Sequence, residues 1–581
     1  MNLKFFYTFL ATAVSKSNGY LGTGPRCLLF KCYLCFLVFF AAVFQANAAD
    51  TNDPGDEVTT TSTEKSWSVS DWAKVPPVRP MPRPGLFGKP PARDGYASTM
   101  DLLADVEPEY FPDPGEGYYS LWDKLTGNKR KTRPTDPYPP FGLMPTSAFN
   151  IDFRYLEDPD HEPDLFDPLK RIHLGDDWLL SFGGSFWYRY MNETDSRLNA
   201  AGKDNDYGLI RTRFHADLWY RDKLRLFAEF IDARSLNPDL SPLGIDRNYT
   251  DMLNIFADVN LGDINGNPFY LRAGRQELIY GSQRLISTLD WANTRRTFQG
   301  VKTFWKSDKW DVDAFWVRPM DTNVKDFDQW DRDRNFYGLW GTYKHDKDHL
   351  LDLYFLTLND TRPVSASNAS IGNVMQGDSF VATFGGRIVG EYNRILYEIE
   401  GMYQYGERSN LDVSAFAVAT GVGYDFQMPL NPILWLRYDF ASGDKNPQDG
   451  KSTTFNQLFP FGHYYLGYID LIGRQNIHDF NAQLTLHPER WITFVGQYHR
   501  YYLAHNKDFL YNAGGAATLR DPTGQSGSHV GDGLDLLINL HVARHHDVIV
   551  GYSKLFSGEF IEKQRPGVNA DLLYVQYNFR F

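Results

Sequence analysis

Arginine is the residue type through which this sequence could do chemistry. Arg211, Arg213, Arg225, Arg272 and Arg437 occupy or abut the polar phase of segments in which every second residue is apolar. Arg275, Arg284, Arg295, Arg296 and Arg474 lie in the stretches that adjoin such segments. A guanidinium stays charged at any relevant pH and meets a carboxylate as a planar fork. A row of them around a wet passage lowers the barrier for a carboxylate-bearing chain without fixing it at one point. These side chains are therefore candidates to line a conduit. Each also has a structural alternative, pairing with Asp217, Glu229, Asp258, Glu398, Glu400 or Asp439 to balance a charge held away from bulk water. Trp187 and Trp435 could stack on sugar rings or brace a loop.

Other groupings carry less. Asp444, Asn446 and Asp449 have the spacing of part of a calcium loop but lack its bidentate Glu, so a solvated turn is expected. His541, His545 and His546 fall at a polar turn and read as that turn. His499 and Ser553 sit on neighbouring segments without a supporting nucleophile motif. We expect no catalytic residue, no metal and no cofactor, and thus no enzyme.

The segments that must position the arginines are strands. In the last one, Leu573, Val575, Tyr577, Phe579 and Phe581 alternate with Tyr574, Gln576, Asn578 and Arg580, the period of two that sends side chains to opposite faces. A greasy face ending on an aromatic suits a closing strand against lipid. From Trp178 onward roughly eighteen such segments follow one another, an even number as single-chain bacterial barrels have. Short polar turns such as Arg221-Asp222-Lys223 and Ser307-Asp308-Lys309 alternate with longer connections. The longer ones fall around Asn192, Ser235, Ile279, Asp321, Asp360, Gly406, Gly443, Asn506 and Ser557. That two-beat rhythm predicts an all-β, up-and-down antiparallel transmembrane barrel over 169–581, with short turns and both termini in the periplasm.

Composition agrees. The 581 residues hold 59 Lys+Arg against 72 Asp+Glu, and 16% are aromatic. The acidic balance argues against nucleic acid as a partner, and the aromatics suit the interfacial girdles of a barrel in outer-membrane lipid. Lys4, Lys16, Arg26 and Lys31 precede the apolar run Tyr33 to Phe44, and Ala46-Asn47-Ala48 follows. This order predicts a secretory signal over 1–48 that carries away all three cysteines. Residues 49–168 are proline-rich and read as a largely irregular periplasmic extension, with short ordered pieces near Leu102 to Val106 and Tyr118 to Leu125.

Three stretches resemble the bacterial alginate export family. The first is Gly274-Arg275-Gln276, Leu278, Tyr280-Gly281, Arg284-Leu285, Trp291, Asn293, Arg296, Phe298 and Gly300. The second is Tyr438-Asp439-Phe440-Ala441-Ser442-Gly443-Asp444 with Phe455, Gln457-Leu458-Phe459-Pro460 and His463. The third is Gly551-Tyr552-Ser553 with Gly558-Glu559-Phe560. The resemblance spans Phe166 to Phe581 and implies an eighteen-stranded outer-membrane porin through which an anionic polysaccharide leaves the cell, served by periplasmic secretion partners. A general or nutrient-specific diffusion porin for anionic sugars would use the same scaffold.

Overall fold

The computed structural model describes residues 115–134, 136–157, 161–198, 204–346, 349–362, 378–409, 411–446 and 449–581. The expected leader with its cysteines and the Leu102 to Val106 piece lie outside the described residues. Among those described, eighteen strands rich in alternating aromatic and β-branched residues make one wall. They are β1 (Trp178–Thr194), β2 (Asn205–Tyr220), β3 (Leu224–Leu236), β4 (Asn248–Ile264), β5 (Asn267–Gln276) and β6 (Phe298–Lys306). Next come β7 (Trp310–Asp321), β8 (Arg334–Lys344), β9 (His349–Asp360), β10 (Ser379–Tyr392), β11 (Ile395–Arg408) and β12 (Leu411–Asp425). The last six are β13 (Ile433–Ala441), β14 (Ile477–Glu489), β15 (Ile492–Leu503), β16 (His529–Ala543), β17 (His546–Ser557) and β18 (Asp571–Arg580).

Each strand runs antiparallel to its neighbours in sequence, and β18 pairs with β1, Tyr577 opposite Tyr188. Closure leaves the wall no free edge. The alternation sorts side chains as lipid outside and a polar interior demand. On β13, Leu436 is 53% exposed whereas its neighbour Trp435 is 6% exposed. On β18, Leu573, Val575 and Tyr577 face out, while Tyr574, Gln576 and Asn578 face in.

One end of the barrel carries the short turns. Between β4 and β5 the turn is Asn265-Gly266, with φ of 52° and 76°, a left-handed pair whose twist matches the flanking strands. The other end carries the long connections, with one difference from expectation. Gly406 is not in a loop: β11 continues through it to Arg408, which pairs with Leu411 at the start of β12. Gly406 has φ of 143°, and a β-carbon there would lie 1.9 Å from the carbonyl oxygen of Phe380. A glycine that reads as a loop signal is here a close-approach residue inside the wall.

The interior is filled from both ends. Residues 277–297, between β5 and β6, and residues 454–476, between β13 and β14, fold inward. Leu285, Ile286, Phe459, Tyr464 and Leu471 share one buried cluster with strand residues such as Phe336 and Tyr354. From the turn end, part of the proline-rich extension also enters. A short helix, Leu121–Thr126, begins where the Asp123 amide donates to the Ser120 hydroxyl at 3.0 Å and ends at left-handed Gly127. It matches the ordered piece expected near Tyr118 to Leu125. Beyond it, Phe141, Leu143, Met144 and Phe149 are buried against the barrel.

Candidate conduit in the barrel interior

Strand phase turns Arg211, Arg213, Arg225, Arg272 and Arg437 inward, and the structure gives each a place. Arg272 of β5 meets Asp258 of β4 as a fork, at 2.6 and 2.7 Å. Arg225 of β3 does the same with Asp217 of β2, at 2.7 and 2.8 Å. Arg213 donates to Ser185 at 3.1 Å and faces Glu229 at 3.3 Å. Arg211 reaches the inward loop, donating to the Asp290 carboxylate at 2.9 Å and to the Ala292 carbonyl at 3.0 Å. Arg275 departs from the expectation of an inward-folding loop: it is the penultimate residue of β5 and pairs with the exposed Ile255, the phase opposite to Arg272, where it holds Asp251 at 2.8 Å and the Asp328 carbonyl at 2.8 Å.

The loop arginines fold inward as well. Arg284 binds both oxygens of Glu398 at 2.7 Å and Glu400 at 3.1 Å, with its guanidinium 4.2 Å from the Tyr465 ring centre. Arg295 pairs with Glu277 and Asp290, and Arg474 with Asp439. Two arginines direct the bonds described here to neutral oxygens. Arg296 donates to Ser287 at 3.3 Å and to the Pro460 carbonyl at 3.1 Å. Arg437 donates to Gln483 at 2.6 Å and lies 4.7 Å from the Trp435 ring. The interior is thus a lattice of guanidinium and carboxylate groups, and every one of the six carboxylates named from sequence is in it.

Two interior arginines escaped the reading of adjacent loops. Arg189 of β1 donates to Gln576 at 2.6 Å and to the Trp291 carbonyl at 2.8 Å, its guanidinium 3.6 Å from the Trp291 ring. Arg387 of β10 links Asp352 at 2.8 Å, Ser282 at 2.6 Å and Glu398 at 3.0 Å. Both stand in the inward phase of their strands, so phase alone was the available signal. Trp187 braces rather than presents a face, since Arg189 and Arg211 lie 3.9 and 4.3 Å from it.

The lesser groupings also find places. The Asp444 carboxylate accepts the Asn446 amide at 3.0 Å, closing a turn. His541 contacts Asp547 at 2.7 Å, and His545 contacts Asp164 of the extension at 2.7 Å. That turn therefore ties extension to barrel. Burial pushes the Asp164 carboxyl up, but the Phe166 amide and His545 outweigh it and hold it below the usual range. His499 is held between Asp479 at 2.9 Å and Asp535 at 3.5 Å. At the long-loop end a cavity of about 180 Å³ is lined by Arg189, Tyr207, Asp246, Trp291, Asn293 and Leu471 among others.

A closed antiparallel wall, apolar outside and charged within, defines an outer-membrane β-barrel channel. The model of the family described as alginate export matches residues 178–575. The chain belongs to that family. No curated protein gives a significant match. Among solved structures the chain is similar to OpdQ of Pseudomonas aeruginosa, with a TM-score of 0.47, 12% identity and coverage of 69% of this chain and 98% of that one. It is similar to P. aeruginosa OpdK, crystallised with vanillate, with a TM-score of 0.47, 11% identity and coverage of 69% and 98%. It is also similar to the outer membrane protein OprD from P. aeruginosa, with a TM-score of 0.44, 10% identity and coverage of 69% and 94%.

Proposed function

We propose that this channel exports an anionic, alginate-like polysaccharide, with Arg211, Arg213, Arg272, Arg275, Arg284, Arg295, Arg296, Arg437 and Arg474 forming its path. The observation that carries the reading is that Arg211, Arg213, Arg272, Arg284, Arg295 and Arg474 are gathered inside one closed wall with carboxylates that hold them in place. A uronate polymer carries one carboxylate per sugar. Each wall carboxylate orients its guanidinium while the path is empty, and a passing carboxylate exchanges for it, so no single site traps the chain. The short turns and both termini face the periplasm, where secretion partners would deliver the polymer.

The test is a reconstituted pore. Arg437→Glu and Arg272→Glu should weaken anion preference, and oligouronates should block current where neutral oligomers of equal length do not. Unchanged ion selectivity in both variants would refute the path. A second reading, a diffusion porin for anionic sugars, is favoured by the modest cavity at the long-loop end, which is below the 300 to 1,000 Å³ or so typical of ligand pockets. Passage of monomeric uronate without passage of oligomers would select it.

A further inference from the structure

Prolines dictate how residues 136–157 can be held. Pro137, Pro139, Pro140 and Pro145 lack amide hydrogens, so this stretch cannot join the sheet, and its carbonyls need donors from elsewhere. Side chains of the barrel supply them. Arg225 donates to the Phe149 carbonyl at 2.7 Å, Asn539 to the Phe141 carbonyl at 2.6 Å, and Arg580 to the Pro139 carbonyl. In return the Phe141 amide donates to Asp547 at 3.2 Å. The Phe149 ring meets Phe227 and Phe256 edge-on, at 5.6 and 5.2 Å, and the Arg272 guanidinium lies 4.6 Å from its centre.

Three features separate this stretch from a permanent core. The main-chain hydrogen bonds among its described residues are internal, such as Asn150 to Ser147 and Leu156 to Phe153, so it can leave without breaking a strand pairing. A void of about 60 Å³ remains between it and the wall, bordered by Pro139, Ala148, Ser185, Arg213, Glu229 and Phe581. Interiors built to stay closed are packed more tightly. Finally, its contacts run from Asn539 of β16 through β17, β18 and β1 round to Arg272 of β5, nearly half the circumference at the turn end.

We propose that residues 136–157 are a tethered stopper that closes the turn-end mouth by occupying the donors an entering carboxylate chain would use. Arg225 and Arg580 donate hydrogen bonds to peptide oxygens while the stopper is in and to polymer carboxylates when it is out. Stopper and polymer therefore exclude one another, and the pore opens only as the segment withdraws on its own tether. The inference rests on the conduit reading, but it fails or stands separately from the identity of the cargo.

The test uses the full chain in planar bilayers, with Cys27, Cys32 and Cys35 replaced by Ser. One variant swaps residues 136–157 for a Gly/Ser linker of equal length. The other, F149C/F256C, locks stopper to wall by a disulfide. The linker variant should conduct at least about tenfold more than the intact chain, the ratio that a closed state favoured by one order of magnitude gives. In the locked variant, oxidation should hold the pore shut, and reductant should restore openings at least as frequent as those of the intact chain. Oligouronates should increase protease cutting within 136–157 of the intact chain, while neutral oligomers should not. Equal conductance of intact chain and linker variant, or openings indifferent to oxidation, would overturn the stopper. A working lock with no difference between oligouronates and neutral oligomers would keep the stopper and sink the anionic cargo instead.

Discussion

The two covers inside the barrel are held by different chemistry. Over β16 to β5 the cover is the proline-rich segment, held through its peptide groups and aromatic rings and by one ion pair at its start, Asp136 to Arg544 at 3.0 Å. Over β8 to β14 it is the two inward loops, held by ions: Arg284 to Glu398 and Glu400, and Arg474 to Asp439. A neutral contact left unmade costs about 1–3 kcal/mol per buried group, whereas a stranded buried charge costs roughly 3–5 kcal/mol. The loops are moreover tied to strands at both ends. Under the proposed path and stopper, the loops are the cover anchored at both ends and by buried charges, and the proline-rich segment is the cover free to withdraw.

Substitutions can break or sharpen that contrast. The largest effect is expected at Arg284→Met, which leaves Glu398 and Glu400 without their main cation and should loosen residues 277–297 by roughly 3–5 kcal/mol. Limited proteolysis in detergent reads it as new cuts in that loop. If the loop stays as resistant as before, ions do not hold the cover. Next comes Phe149→Ala, which empties the slot between Phe227 and Phe256 and should weaken the segment by about 2–3 kcal/mol. More frequent channel openings with unchanged barrel migration on gels would show it.

A pH dependence ranks third. Burial raises the Asp246 carboxyl, in the loop between β3 and β4, to about 6. An unfolded aspartate titrates near pH 3.9, so the folded loop keeps a proton that the open loop has lost. The contribution of this group is complete below the unfolded value and is lost as pH rises through about 6, an effect on the order of 2 kcal/mol. Hydrogen exchange at residues 243–246, corrected for intrinsic rate, should speed up from pH 4.5 to 7 in the parent and stay level in Asp246→Asn. Smallest of all is Glu489→Gln. Its partner Lys124 lies 3.0 Å away on the short helix, both side chains are largely exposed, and the loss should stay below about 1 kcal/mol in a double-mutant cycle.

What was legible in the sequence was whatever lipid enforces. A wall residue must face acyl chains or the interior, so period two marked the strands and turned Arg211, Arg213, Arg225, Arg272 and Arg437 inward, while Arg275, read as part of a loop, proved to be a strand residue of the opposite phase. The same phase identified Asp217, Glu229, Asp258, Glu398, Glu400 and Asp439 as their partners. Loop destinations were not legible, because nothing local in residues 277–297 says that Glu277 and Asp290 will meet Arg295 and Arg211. Gly406 misled for a related reason: a close approach to Phe380 is a property of the neighbouring strand, not of the glycine's own surroundings. The prolines read correctly as a bar to regular structure, yet the donors that receive their carbonyls lie some four hundred residues away at Asn539 and Arg580.

The seam between β1 and β18 has a consequence for biogenesis. The strand that opens the wall finds its second partner only in the strand that completes it, so both rims carry unsatisfied peptide groups for as long as the intervening sixteen are being laid down. Such rims invite pairing with other chains. Cells that make this protein must shield that pair of sticky borders during transit, and a lesion at the β1–β18 contact should surface as failed insertion before it ever alters transport.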